Sequence, residues 1–223
     1  VGIKTKLEPV ASLPLGTFEL THLEILNAYA TLASSGVKHE PFFIRKVTDI
    51  KGHTIYEHKD TSEVVLNKST TYILNDLLKG TYDYNMIDYT YPTNISIAPI
   101  LTKSYGIKSG STDTDNLIVG FNKDVATLIW IGYDDNKKLE QNDFKYSKKI
   151  WANATENYLK DKENDWYELP SNVVGVIVDP ITGTLATDES KNKKILYYIK
   201  GTEPNYTSQV FNEYDKTDIV LND

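Results

Sequence analysis

The sequence predicts an α+β fold, an antiparallel sheet flanked by helices, with a small β-rich element appended at its C-terminal end. Three observations carry this reading. Tyr105 to Ser111, Leu117 to Phe121 and Val125 to Tyr133 are apolar runs separated only by Thr112-Asp113-Thr114-Asp115-Asn116 and by Asn122-Lys123-Asp124. Connections that short join antiparallel neighbours, so the three runs form a meander. Tyr146 to Lys160 sets Ile150, Trp151, Ala154, Tyr158 and Leu159 at helical spacing, a face to lay against such a sheet. After Pro170 the texture changes to short strands, Val173 to Val178 and Ile195 to Ile199, around an Asp179-Pro180-Ile181-Thr182-Gly183 turn. The expected division is therefore 1–168 for the main unit and 169–223 for the extension.

The earlier elements follow in order. Thr21 is placed to cap a helix, with Glu24 three residues on as its reciprocal partner. The helix, His22 to Ala33, has hardly any polar face and reads as buried on most sides, with Ser34-Ser35-Gly36 ending it. Phe42 to Thr48 and Thr54 to Tyr56 flank Asp49-Ile50-Lys51-Gly52-His53, which predicts a hairpin. Ser69 is expected to cap a second helix running to Lys79, with Gly80 ending it. Residues 81–103 form a long loop rich in Tyr, Asn and Pro, including Tyr82, Tyr84, Tyr89 and Tyr91; loops of this length are often functional, and the tyrosines could stack on a sugar or simply pack.

Composition excludes several classes. The 223 residues are 40% apolar and 11% aromatic, enough for a core, and the net charge of -7 offers no basic face for a nucleic acid. The absence of cysteine removes disulfides, thiolate metal sites and cysteine nucleophiles. His22, His39, His53 and His58 do not fall at metal-ligand spacing. Asp113, Asp115 and Asn116 share the opening spacing of a calcium loop, but Leu117 sits where the third oxygen ligand belongs and the glycine is missing, so the segment reads as a turn. No phosphate-cradling Gly-rich loop is present, and no cofactor is expected. No run approaches the roughly 18 apolar residues that span a bilayer. The opening Val1-Gly2-Ile3-Lys4 reads as the interior of a longer polypeptide, so an active site is expected to be incomplete in these residues.

The candidate chemistry lies at the end of the first meander strand. Lys108-Ser109-Gly110-Ser111 supplies a cation and two hydroxyls around a residue with no Cβ, so another backbone can lie close. That arrangement suits an extended peptide ending in a carboxylate.

The tetrapeptide resembles the third signature of the penicillin-binding proteins and serine β-lactamases, whose sites combine Ser-x-x-Lys, Ser-x-Asn and Lys-Thr-Gly or Lys-Ser-Gly. The resemblance extends to bifunctional, class A penicillin-binding proteins. Leu15-Gly16-Thr17, Thr21 through Gly36-Val37, and Phe42 to Val47 with the Gly52 hairpin look like the segment before that signature. Val119-Gly120-Phe121 and Trp130-Ile131-Gly132-Tyr133-Asp134-Asp135 resemble the strands after it, and Val174 to Asp188 with Gly201-Thr202-Glu203-Pro204 resemble the same family's tail. The chain thus resembles the C-terminal part of a transpeptidase domain.

This resemblance implies the penicillin-binding protein/serine β-lactamase-like fold and a serine D,D-transpeptidase that cross-links peptidoglycan stem peptides through an acyl-enzyme and is a target of β-lactams. It casts Lys108 and Ser111 as catalytic, Lys108 for positive potential and proton relay and the Ser111 N–H as one of two oxyanion donors. Ser109, Gly110, Ser111 and Thr112 become the substrate-binding edge, the Ser109 and Ser111 hydroxyls meeting the carboxylate. Two segments fit Ser-x-x-Lys, Ser35-Gly36-Val37-Lys38 and Ser190-Lys191-Asn192-Lys193, but neither is expected to start a helix facing the sheet edge. The nucleophile and the Ser-x-Asn are therefore expected on an upstream part of the same protein, which is the implied partner, anchored at the outer face of the cytoplasmic membrane. The resemblance also leads one to expect Asp-Ala-Trp where Asn116-Leu117-Ile118 stands. A non-catalytic penicillin-sensing or wall-binding relative, or a stand-alone β-lactamase or carboxypeptidase, are the alternatives.

Overall fold

A three-stranded antiparallel meander, β5 (Gly106–Ser111), β6 (Asp115–Phe121) and β7 (Ala126–Gly132), organises the computed structural model, which describes residues 1–86, 91–140 and 142–207. Lys108 stands opposite Val119 and Ser111 opposite Asn116; across the next pair Leu117 faces Trp130. Because side chains alternate along a strand, this register sorts the sheet into two faces.

One face meets α3 (Tyr146–Tyr158), which follows a short 3-10 turn. Ser147 is hydrogen-bonded to Asn116, the Thr127 and Thr155 hydroxyls are 3.0 Å apart, and the Trp151 indole donates to the Thr127 carbonyl at 3.2 Å. Gly120 is required here: a Cβ would lie 2.2 Å from the Trp151 ring. Ile97, Tyr105, Ile107, Ile118, Trp151, Ala152 and Leu159 form the core on this side. The buried stripe of α3 is thus Ser147, Trp151 and Thr155 with Ala152; of the expected face Trp151 and Leu159 are buried, whereas Ile150, Ala154 and Tyr158 form an exposed stripe. The two stripes lie one residue apart around the helix, and hydroxyls took the inner one because the sheet offers polar partners there.

The other face meets α1 (His22–Ala33), with Tyr29 against Phe121 and His22 against Trp130. Its bounds and its Thr21–Glu24 capping box match expectation. The expected burial on most sides does not: Thr31 is its one buried residue and Leu23 is 43% exposed, because the helix packs mainly on β6, β7 and β1 (Val37–His39). The hairpin is present as β2 (Lys46–Thr48) and β3 (Thr54–Glu57), with a shorter first strand than expected. An unexpected pairing joins β1 to β4 (Ser62–Val64), strands of three residues each, too short for a readable alternation.

In α2 (Lys68–Leu77) the cap is Asn67, whose side chain accepts from the N–H groups of Ser69 and Thr70 at 2.9 and 3.3 Å. Ser69 turns inward instead and donates to Asn172 at 2.6 Å. The helix ends at Leu77 and tightens into a 3-10 turn, Leu78–Tyr82, that passes through Gly80 rather than stopping at it. The long loop that follows contains 3-10 turns at Tyr84–Met86 and Ile95–Ile100; the expected role of Tyr89 falls outside the described residues. β8 (Val173–Val178) and β9 (Lys194–Ile199) pair with each other, in register Val173 to Ile199, as a two-stranded sheet, and Val178 makes a further single bridge with Leu185.

Candidate functional site

Register decides what β5 can offer. It is an edge strand of its sheet, and the Thr112 N–H donates to the Asp115 carbonyl at 2.9 Å, closing the hairpin. In an antiparallel pair the inward and outward residues then alternate by two. Gly106, Lys108 and Gly110 turn their backbone groups to β6, while Tyr105, Ile107, Ser109 and Ser111 turn theirs to the free edge. The first two are occupied. The Tyr82 hydroxyl accepts from the Tyr105 N–H at 3.0 Å and donates to its carbonyl at 3.1 Å, and the Thr81 hydroxyl donates to the Ile107 carbonyl at 3.1 Å. The N–H groups of Ser109 and Ser111 have no partner among the described residues. A strip of unpaired backbone at a sheet edge is a template for an added strand.

The side chains gather along this edge rather than on one face. Lys108 and Gly110 share the α1 face with Val119 and Leu117; Ser109 and Ser111 share the α3 face with Ile118 and Asn116. Lys108, Gly110 and Ser111 are exposed and Ser109 half-buried. The Lys108 ammonium reaches back to the outward Ser109 carbonyl, which brings the cation to the rim between both faces. Gly110 has open space where a Cβ would stand, so an approaching chain meets no side chain there.

Two neighbours shape the electrostatics. Lys148 of α3, half-buried and donating to the Thr93 carbonyl, has its ammonium pKa lowered by burial and, secondarily, by the charge of Lys108. Sequence reasoning missed this second cation, for which helical spacing holds no signal. Asp115 is held below the usual carboxylate range chiefly by the Trp130 indole, which donates to it at 2.8 Å. Where Asp-Ala-Trp was expected in β6, the indole on this sheet face comes from Trp130 of β7, across from Leu117. Thr112 is committed to the turn: its hydroxyl accepts from the N–H groups of Thr114 and Asp115 at 3.2 and 3.0 Å. Asp113 is paired with Lys138, so its carboxylate too is used structurally.

Neither Ser-x-x-Lys segment begins a helix. Ser35 lies in the turn after α1 with φ of 55°, and its Lys38 is paired with Glu40 and Glu63. Ser190 closes a turn between β8 and β9, where its hydroxyl accepts from the Thr187 N–H at 3.0 Å. His53 is bonded to Asp49 and His58 stacks on Phe42. No group of three acidic or imidazole side chains suited to a metal occurs among the described residues, and none of their helices is long and apolar enough to cross a membrane.

The unit is thus α+β, with a basic, hydroxyl-bearing edge strand on a sheet held between helices. The crystal structure of penicillin-binding protein 1A from Haemophilus influenzae superposes on 90% of this chain with a TM-score of 0.79 at 22% identity, the chain covering 35% of it. The family described as penicillin-binding protein 1A, C-terminal domain, matches residues 169–213. Penicillin-binding protein 2D of Bacillus subtilis is 38% identical over 204 residues, 91% of this chain, and penicillin-binding protein 1A of Aquifex aeolicus 31% identical over 210 residues. Over about nine-tenths of its length this chain is therefore similar to class A penicillin-binding proteins. It spans 30% and 28% of those two curated relatives.

Proposed function

We propose that this chain supplies the Lys-Ser-Gly edge of a peptidoglycan D,D-transpeptidase, residues 1–168 forming the C-terminal portion of its penicillin-binding unit and 169–223 a small β extension. The observation that carries the proposal is the pair of outward, unpartnered N–H groups at Ser109 and Ser111 beside Lys108. In this reading a stem peptide ending in D-Ala-D-Ala lies along β5. Its carboxylate meets Lys108 and the Ser109 and Ser111 hydroxyls. A serine elsewhere in the protein attacks the penultimate carbonyl, and the resulting oxyanion rests on the Ser111 N–H and on the N–H of that serine. The terminal D-alanine leaves, and the acyl group passes to an amine of a neighbouring strand. A single donor of this kind is worth about 3 kcal/mol of barrier. The membrane anchor and the Ser-x-x-Lys and Ser-x-Asn motifs belong to other parts of the same protein, at the outer face of the cytoplasmic membrane.

Proline tests the edge, because an outward N–H can be removed there without breaking the ladder, and Ser111→Ala, which removes the hydroxyl alone and should slow acylation less, separates the two groups. In the full-length protein Ser111→Pro should lower the second-order rate of acylation by a fluorescent penicillin by about 100-fold or more, with Lys108→Gln doing likewise. Unchanged melting temperature accompanies both. Peptide mapping of the wild type should place the drug on a serine outside 1–223. Acylation of Ser35 or Ser190, or full-speed acylation of the proline variant, would sink the assignment, and a folded wild type that takes no drug would favour the non-catalytic relative.

A further inference from the structure

Beside the C-terminal end of α2, where the 3-10 turn Leu78–Tyr82 approaches β9, lies a cavity of about 560 Å3. Neither Lys108 nor any residue of β5 lines it. Its charged groups cancel. Asp76, only 5% exposed, is paired with Lys79, and Asp83 is paired with Lys194 across to β9. Its aromatic groups do not cancel. Tyr82, Tyr84 and Tyr197 all line it; the Tyr82 hydroxyl is committed to Tyr105 and its ring packs against the core, so the exposed ring is that of Tyr84.

We infer that this cavity is a saccharide-binding site. An ionic ligand would meet a like charge beside every opposite one, so a mono-charged group gains little here. An uncharged polyhydroxylated ligand gains from both sets of groups. Two carboxylates and two ammoniums supply acceptors and donors for hydroxyls and acylamino groups without requiring net charge. The Tyr84 ring, with Tyr82 and Tyr197 lining the cavity beside it, supplies apolar area with a polar tip, suited to the C–H face of a pyranose. The volume falls within the range of about 300–1,000 Å3 typical of small-molecule sites. Tyr84 in particular is 59% exposed, a large ring held at the solvent side beside half-buried ion pairs.

The inference stands on the cavity's chemistry and does not need the transpeptidase reading. Calorimetric titration of the full-length protein with chitotetraose, and in parallel with maltotetraose and sodium phosphate, tests it. Saturable binding of at least one oligosaccharide is expected. Tyr84→Ala, at a ring exposed enough to leave folding intact, should weaken that binding about tenfold, while Tyr84→Phe keeps it within about threefold because the ring remains. No saturable oligosaccharide binding up to about 10 mM, tighter binding of phosphate than of either sugar, or oligosaccharide binding indifferent to Tyr84→Ala would each overturn the inference. The penicillin assay run on the same samples keeps the two proposals apart: sugar binding without acylation retains this site and removes the other, and the reverse outcome does the opposite.

Discussion

Glu24 gathers more donors than any other carboxylate in the N-terminal third of the chain. Its Oε1 accepts from the N–H groups of Lys4 and Thr5 at 2.8 and 2.7 Å, and its Oε2 from the N–H and hydroxyl of Thr21 and the hydroxyl of Thr5. These bonds, Thr21 first, hold its pKa at about 2 against an ordinary 4.5. A carboxylate held low contributes stability above its ordinary value and loses it as pH falls toward the folded value. Glu24→Gln should therefore melt earlier than wild type at neutral pH, and the gap should close between pH 4.5 and about 2. Thermal scans across that range check it, and a gap that persists at pH 2 would assign the effect to packing. The Thr21–Glu24 box is legible in the sequence because both partners fall within one helical turn. The arrival of Lys4 and Thr5, some 20 residues away in the chain, is not, since nothing local encodes a tertiary approach.

Among the elements, β5 shows how far pattern reading reaches. Its apolar start, the glycine and the short turn after it are sequence features, and they place Lys108 to Ser111 on an edge without any coordinates. What they do not reveal is the parity of the ladder, which decides that Ser109 and Ser111, not Lys108 and Gly110, face outward; a one-residue slip would reverse it. Nor do they reveal that the first half of the edge is already sealed by Thr81 and Tyr82, contributed from a loop that has no periodicity to read. The α3 stripe is read only in part, Trp151 and Leu159, for a related reason, since Ser147 and Thr155 are buried by bonds to Asn116 and Thr127 that hydropathy does not register. Tyr82→Phe tests the seal. It keeps the ring but leaves both backbone groups of the buried Tyr105 unpaired, at a cost of about 1–3 kcal/mol each if water cannot reach them. Urea unfolding should show a loss in that range with an unchanged m value, and if the free edge depends on the seal for its straightness, penicillin acylation should slow as well. A variant as stable as wild type would mean that water substitutes for the phenol.

At the scale of the whole molecule, the β8–β9 sheet shares no strand with the meander and is joined to it through α2 and the turn after it. Three contacts make that joint: Ser69 to Asn172, the edge-to-face pair of Tyr72 and Tyr197 with centroids 5.3 Å apart, and Lys194 to Asp83. The 3-10 turn between α2 and Asp83 carries Thr81 and Tyr82, so the β8–β9 sheet and the Lys-Ser-Gly edge are tied to one continuous segment, residues 69–83. The change in texture after Pro170 makes β8 and β9 visible in the sequence, but not their docking, because each contact pairs residues about 100 or more positions apart. Segments joined by few contacts open at lower free energy than the core they rest on. Lys194→Met removes the ion pair while keeping most of the side-chain volume, and leaves Asp83, with 26% of its side chain exposed, without its cation. Amide hydrogen exchange in that variant should quicken in β8, β9 and residues 78–83, with β6 and β7 protected as in wild type. If instead the meander strands quicken equally, the extension and the sheet unfold as one cooperative unit, and the joint at Asp83 is part of a single core rather than a seam.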